Sequence, residues 1–103
     1  MSYCLIITTC KDEQEATILA SSILELKLAA CVQLSHISSL YTWQNKLVND
    51  NEVKLSIKTK KSLYKKLKEY ILQNHSYDTP EIIMININKG SKKYLNWIKE
   101  VTI

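Results

Sequence analysis

The stretch HSYDTPEIIMINI, residues 75–87, joins a loop of functional side chains to an apolar strand candidate. Its first seven residues hold an imidazole, a phenol, two carboxylates and the only proline of the chain. The run that follows, residues 82–87, is the most hydrophobic strand candidate in the sequence. Functional groups at the mouth of a rigid strand are typical of a binding site. We therefore expect the other segments to be scaffolding that carries further groups towards this loop.

Upstream of this stretch, the chain begins with a strand pattern followed by a helix pattern. Residues 2–9 are largely apolar or β-branched, which is typical of a buried strand. Asp12, three residues before Glu15, is the predicted N-cap of a helix. Apolar residues then recur at three- and four-residue spacing, so that this helix is expected to reach residue 27 or 28.

The middle of the sequence is typical of a β-hairpin and a second helix. Residues 29–43 begin as an apolar strand that continues irregularly, and the polar clusters at residues 44–46 and 49–51 are both predicted to be turn material. The return strand, residues 53–58, alternates apolar and polar side chains, as expected for one buried and one wet face. Ser62 is the predicted cap of a helix that must end before the proline.

The order of these elements is strand, helix, strand, strand, helix, strand, and it predicts an α+β ferredoxin-like sandwich of the βαββαβ type. Downstream of the fourth strand, Gly90 breaks the chain and Ser91 is expected to cap a short C-terminal helix. Residues 1–103 are too few for a second core, so we expect a single domain. The strand 2/3 hairpin is longer than such a sandwich requires. Because surplus strand edges must be covered, we expect an oligomer.

Composition and charge disfavour several classes of function. The net charge is +4, but all 14 basic residues are lysines, so the guanidinium fork that reads bases and clamps phosphates is missing and we expect no nucleic-acid partner. The N-terminal apolar run is too short for a signal peptide or a membrane span, which predicts a cytoplasmic protein without a membrane partner. Three cysteines without paired spacing favour reduced thiols in a reducing compartment.

Several phrases of the sequence, taken in order, resemble the divalent-cation tolerance protein family called CutA. They span nearly the whole chain and are TTCKDE at 8–13, KLAACVQ at 27–33, LYTW at 40–43, HSYDTPEII at 75–83 and YLNW at 94–97. The resemblance implies a ferredoxin-like subunit in a tight homotrimer whose long strands cross between neighbours. It also implies a link to metal-ion tolerance.

Metal ligands follow from the same resemblance, because copper binding is proposed for bacterial members through a cysteine near the end of strand one and a histidine before the tyrosine and proline. His75 matches that histidine, whereas the family's cysteine falls at Thr8. Cys10 lies two residues further on the same strand face, so it can approach the same space. His75 and Cys10 are therefore the predicted ligands of a divalent ion, possibly Cu(II). The simpler alternatives are a helix C-terminal cation at His75 and a small, partly buried thiol at Cys10.

Five more residues are candidates for a cleft or a subunit interface. They are Tyr77, Asp78, Glu81, Trp43 and Tyr41. Tyr77, Asp78 and Glu81 can supply hydrogen bonds or an oxygen ligand, or they can shape the turn at the proline. Trp43 and Tyr41 are aromatic residues of the kind that fills subunit interfaces, which favours an interface role for them.

An enzyme is not expected, because no nucleophile motif is present and the single glycine disfavours a phosphate loop. Besides a metal-binding tolerance protein, two alternatives stay open. One is a trimeric signalling module that binds a small effector, for example an organic anion, in clefts between subunits. The other is a purely structural trimer.

Overall fold

The computed structural model describes all residues 1–103 and confirms the ferredoxin-like α+β fold. Its elements, in chain order, are β1 (Tyr3–Cys10), α1 (Glu13–Glu25), β2 (Cys31–Trp43), β3 (Lys46–Lys60), a 3₁₀ helix (Lys61–Leu63), α2 (Tyr64–Asn74), β4 (Ile82–Ile87) and α3 (Lys92–Val101). The strands form one antiparallel sheet in the order β2-β3-β1-β4, which is the order of two interleaved βαβ halves. None of the helices is both long and apolar enough to cross a membrane.

The two faces of the sheet are covered unequally. One face packs against α1 and α2, and there Ile6 of β1 and Ile57 of β3, which pair across the strands, are fully buried in the core cluster. On the opposite face, Ile7 of β1 pairs with Ile83 of β4, which is 46% exposed. The second face is therefore apolar but largely open in the single chain.

The first and third helices begin where the sequence predicts them, whereas the second begins later. The Asp12 carboxylate accepts a hydrogen bond from the Glu15 backbone N–H at 2.8 Å, which confirms the predicted cap. α1 ends at Glu25, earlier than expected, and Lys27 then adopts a left-handed φ of 57°. The capping prediction for Ser62 was wrong, whereas α3 begins directly after Ser91, as the sequence predicts. Ser62 lies inside the 3₁₀ helix, and Ser91 stands at the start of α3 without a capping side-chain hydrogen bond.

The long hairpin of β2 and β3 is present as predicted, but it is more regular, and its return strand β3 spans Lys46–Lys60 instead of residues 53–58. Its turn consists of Gln44 and Asn45 alone, with φ of 51° and 63°, as in the two-residue turns that match strand twist. Residues 49–51, predicted to be a turn, lie inside β3 and pair with residues 38–40. That prediction was wrong because the exposed end of a hairpin carries the same polar residues as a turn.

Candidate functional site

The end of β1 brings together Cys10 and His75, which are 65 residues apart in the chain. Cys10 is the last residue of β1, and the strand's alternation turns its side chain to the helix-covered face, where it is fully buried. His75 ends α2 with an extended backbone, because the chain there leaves the helix for the loop before β4. The distance from Cys10 Sγ to His75 Nε2 is 3.9 Å. The two residues predicted as ligands are thus neighbours.

The carboxylate of Glu15 completes a cluster of three potential ligands. One donor atom each from Cys10, Glu15 and His75 lies within 4.8 Å of the other two, and the last two residues are partly buried. Sequence reasoning considered Glu15 only as a capping residue and missed this position. A signal was available, because a glutamate at the third helical position reaches back towards the residues before the helix. Its Oε1 does so, accepting a hydrogen bond from the Lys11 backbone N–H at 3.2 Å.

Both ring nitrogens of His75 already have backbone partners. The distance from Nε2 to the Thr9 carbonyl oxygen is 2.7 Å, and since a carbonyl can only accept, Nε2 carries the hydrogen. Nδ1 accepts a hydrogen bond from the Tyr77 backbone N–H at 3.0 Å. The ring is therefore the neutral tautomer protonated at Nε2, and it ties the loop to the end of β1. A metal ion at Nε2 would have to replace this proton and the bond to Thr9.

Burial and nearby carboxylates control the protonation of the cluster. Burial, followed by the negative charge of Glu15, raises the pKa of the Cys10 thiol to about 12, so that this group is not an activated nucleophile. Burial would also raise the pKa of the Glu15 carboxyl, but hydrogen-bond donors at Ser76 and Lys11 outweigh burial and hold this pKa below its usual range. At neutral pH the cluster thus combines a thiol with a carboxylate.

A cavity of about 690 Å³ lies between the hairpin and residues 76–81 of the same loop. Its lining consists of Thr9, Ser39, Leu40, Tyr41, Trp43, Asp50, Glu52, Ser76, Tyr77, Asp78, Thr79 and Glu81. The structure thus brings together all five residues predicted for a cleft or interface, whereas Cys10 and His75 do not line this cavity. Asp50 and Glu52 were missed, in the case of Asp50 because it was assigned to a turn.

Two phenol groups donate to carboxylates in this cavity. Tyr77 Oη donates to Glu52 Oε2 at 2.8 Å, and Tyr41 Oη donates to Asp50 Oδ2. The pKa of Tyr77 is raised by burial and by the Glu52 carboxylate, and the pKa of Tyr41 is raised mainly by its hydrogen bond to Asp50. Both phenols therefore remain protonated donors, which hold the two carboxylates in place on β3.

Comparisons of the sequence with known proteins agree on one family. The sequence model of the family described as CutA1 divalent ion tolerance protein matches residues 4–101. A chloroplastic CutA protein of Arabidopsis thaliana is 42% identical over 99 residues, which cover 95% of this chain and 54% of that protein. The divalent-cation tolerance protein CutA of Thermus thermophilus is 36% identical over 99 residues, covering 95% of this chain and 96% of that protein.

The structural comparison gives the same result. The crystal structure of CutA1 from Oryza sativa matches with a TM-score of 0.97 and 39% sequence identity, and the match covers 100% of this chain and 95% of that chain. The chain spans about half the length of the plant and mammalian relatives that it matches. Similarity to those relatives thus concerns only the part of them that this chain covers.

Proposed function

Since this chain belongs to the CutA1 divalent ion tolerance protein family, we propose that it binds a divalent metal ion, preferably Cu(II), and acts in tolerance to such ions. The observation that supports this proposal is the cluster of Cys10, Glu15 and His75, with donor atoms within 4.8 Å of one another. Thiolate and imidazole are suitable ligands for copper or zinc, and a carboxylate adds an oxygen ligand. Water or a neighbouring subunit would supply the fourth ligand.

Binding at this cluster requires the release of protons. The Cys10 thiol, whose pKa is raised to about 12, must ionise, and His75 must give up the hydrogen that Nε2 donates to Thr9. Since metal binding replaces protons, the apparent affinity should increase with pH. We therefore propose conditional binding, which strengthens in neutral to alkaline solution and weakens in acid.

Calorimetric titration of the reduced, anaerobic protein with Zn²⁺ and Cu²⁺ tests this proposal. Saturable binding is expected, and Cys10→Ala or His75→Ala should weaken it by about tenfold or more, since each removes a ligand. Cys31→Ala and His36→Ala are matched controls, because they remove the same residue types from positions outside the cluster and should leave the affinity unchanged.

The pH dependence of the same titration provides a second criterion. Binding should be weaker at about pH 5.5 than at about pH 8, because protonated imidazole and thiol cannot ligate a metal. If Cys10→Ala and His75→Ala bind metal with the affinity of the wild type, or if the affinity does not change with pH, metal binds elsewhere and the cluster is only structural.

We also propose that residues 1–103 form one functional unit that assembles as a homotrimer in the cytoplasm and has no catalytic activity. The exposed apolar side chains of β4 support an assembly, since Ile83 and Ile85 are 46% and 47% exposed. The raised pKa of Cys10 is unfavourable for nucleophilic catalysis. Sedimentation analysis tests the trimer. Because the Arabidopsis relative is named chloroplastic, the compartment requires fractionation of the source cells.

A further inference from the structure

A groove of about 340 Å³ lies between α1 and α2. Glu15 and Ser22 of α1 line it on one side, and Tyr70 and Asn74 of α2 line it on the other. Because a water molecule occupies about 30 Å³ of liquid, the groove has room for a divalent ion with a shell of six waters. Both helices pack on the covered face of the sheet, so an assembly through the open apolar face leaves the groove accessible.

Glu15 connects this groove to the metal cluster. Its carboxylate lies within 4.8 Å of the donor atoms of Cys10 and His75, and the same residue lines the groove, whereas Cys10 and His75 do not. Cys10 is fully buried at the end of β1. Neither Cys10 nor His75 lines the cavity between the hairpin and residues 76–81. An ion that comes from solvent through the groove therefore meets the carboxylate before the thiol or the imidazole.

Charges of both signs lie in the groove beside this ligand. Asp12 and Glu15 attract a cation, whereas Lys11, which is exposed and also lines the groove, carries the opposite charge. The Lys11 backbone N–H donates to Glu15 Oε1 at 3.2 Å, so this lysine is next to the first ligand. Its ammonium group forms no ion pair with Asp12 or Glu15. An unpaired ammonium group at this position repels an incoming divalent ion.

We propose that a divalent ion enters the cluster through the groove between α1 and α2, with Glu15 as the first ligand that it meets and Lys11 as a charge that slows its entry. This inference rests on the metal binding proposed above and adds the route to it. Charged side chains at the rim of a binding site act mainly on the association rate constant, whereas the loss of an inner contact acts mainly on the dissociation rate constant. Lys11 therefore changes the rate of binding without contributing a ligand.

Stopped-flow absorption of the reduced, anaerobic protein mixed with Co²⁺ at about pH 8 tests the route, because the thiolate–cobalt charge-transfer band reports binding to cysteine and yields both rate constants. Lys11→Gln should increase the association rate constant about two- to threefold at about 10 mM ionic strength, and the increase should diminish at about 150 mM, where charges are screened. Lys65→Gln, the matched control, removes the same charge from an exposed position of α2 outside the groove and should have no effect. Both lysines are exposed, so neither variant endangers the fold.

A second pair of variants compares the groove with the cavity between the hairpin and residues 76–81. Ser22→Lys adds a positive charge to the groove, and Ser39→Lys adds the same charge to the lining of that cavity; both serines are half-buried. We expect slower association for Ser22→Lys only. Glu15→Gln should also reduce the association rate constant, whereas His75→Ala should increase the dissociation rate constant.

The outcomes separate the route from metal binding itself. An unchanged association rate constant in Lys11→Gln, or slower association in Ser39→Lys in place of Ser22→Lys, would overturn the route and leave metal binding at the cluster intact. If the wild-type protein gives no cobalt–thiolate band, the metal-binding proposal fails, and the route fails with it. A saturable band with the expected changes in the rate constants supports both proposals.

Discussion

Two fully buried threonines, Thr8 of β1 and Thr59 of β3, differ in their hydrogen bonding. Thr59 Oγ1 donates to the Leu28 carbonyl oxygen at 2.7 Å, whereas Thr8 Oγ1 has no partner. A buried hydroxyl without a partner loses its hydration and gains nothing in return, which costs about 1–3 kcal/mol. The two side chains are otherwise similar, since both lie on the helix-covered face of neighbouring strands.

Thr8→Val is expected to increase the free energy of unfolding by about 1 kcal/mol, because the methyl group removes an unpartnered hydroxyl at nearly constant volume. Thr59→Val should decrease it by about 1–2 kcal/mol, because the Leu28 carbonyl then loses its donor. Urea unfolding of both variants at one fixed protein concentration measures the difference. A loss of stability in Thr8→Val equal to that in Thr59→Val would show that the Thr8 hydroxyl has a partner after all.

At the scale of single residues, strand periodicity and the family resemblance predicted the proximity of Cys10 and His75, but not the residues around them. Glu15 was missed because its position in the first helical turn has a complete local explanation as a capping residue. Glu52 was missed because its role depends on the register of β3 against β2 and on the path of the loop. Such contacts are set by tertiary packing, which the local sequence pattern does not contain.

At the scale of elements, the β2–β3 hairpin shows where composition misleads. Amide and carboxylate side chains cluster both at Gln44–Asn45 and at residues 49–51, but only the first pair has positive φ. Composition identifies exposed polar chain, whereas the position of the turn follows from the pairing of the apolar residues around it. For the same reason the sequence predicted the order of strands and helices correctly, and missed the start of α2.

Glycine substitutions distinguish the turn from the strand. Asn45→Gly should increase the free energy of unfolding by about 0.5–1 kcal/mol, because a residue with φ of 63° is strained unless it lacks a Cβ. Asn49→Gly should decrease it by a similar amount, because it adds backbone freedom inside β3 and removes the acceptor of the Ser38 hydroxyl. Urea unfolding compares the two variants. Stabilisation by Asn49→Gly would place the turn where the sequence predicted it.

At the scale of the whole molecule, the distribution of apolar surface indicates an assembly. The helix-covered face of the sheet is buried within one chain, whereas the other face exposes Ile83 and Ile85 beside the partly buried Leu5 and Ile7. β2 and β4 are edge strands, so their outer hydrogen-bonding groups have no partner strand within the chain. We therefore expect other copies of the chain to bury this apolar face and to cover the two open strand edges.

Placing a charge on the open face should therefore dissociate the assembly. Ile83→Lys introduces an ammonium group at an apolar contact, and we expect a trimer for the wild type and monomers or unfolded chains for this variant in sedimentation velocity runs at micromolar concentration. Ile18→Lys is the matched control, because Ile18 is 61% exposed on α1, away from this face, and its substitution should leave a trimer. Since the face is buried only on assembly, the unfolding midpoint of the wild type should increase with protein concentration. A well-folded wild-type monomer with a concentration-independent midpoint would contradict the trimer.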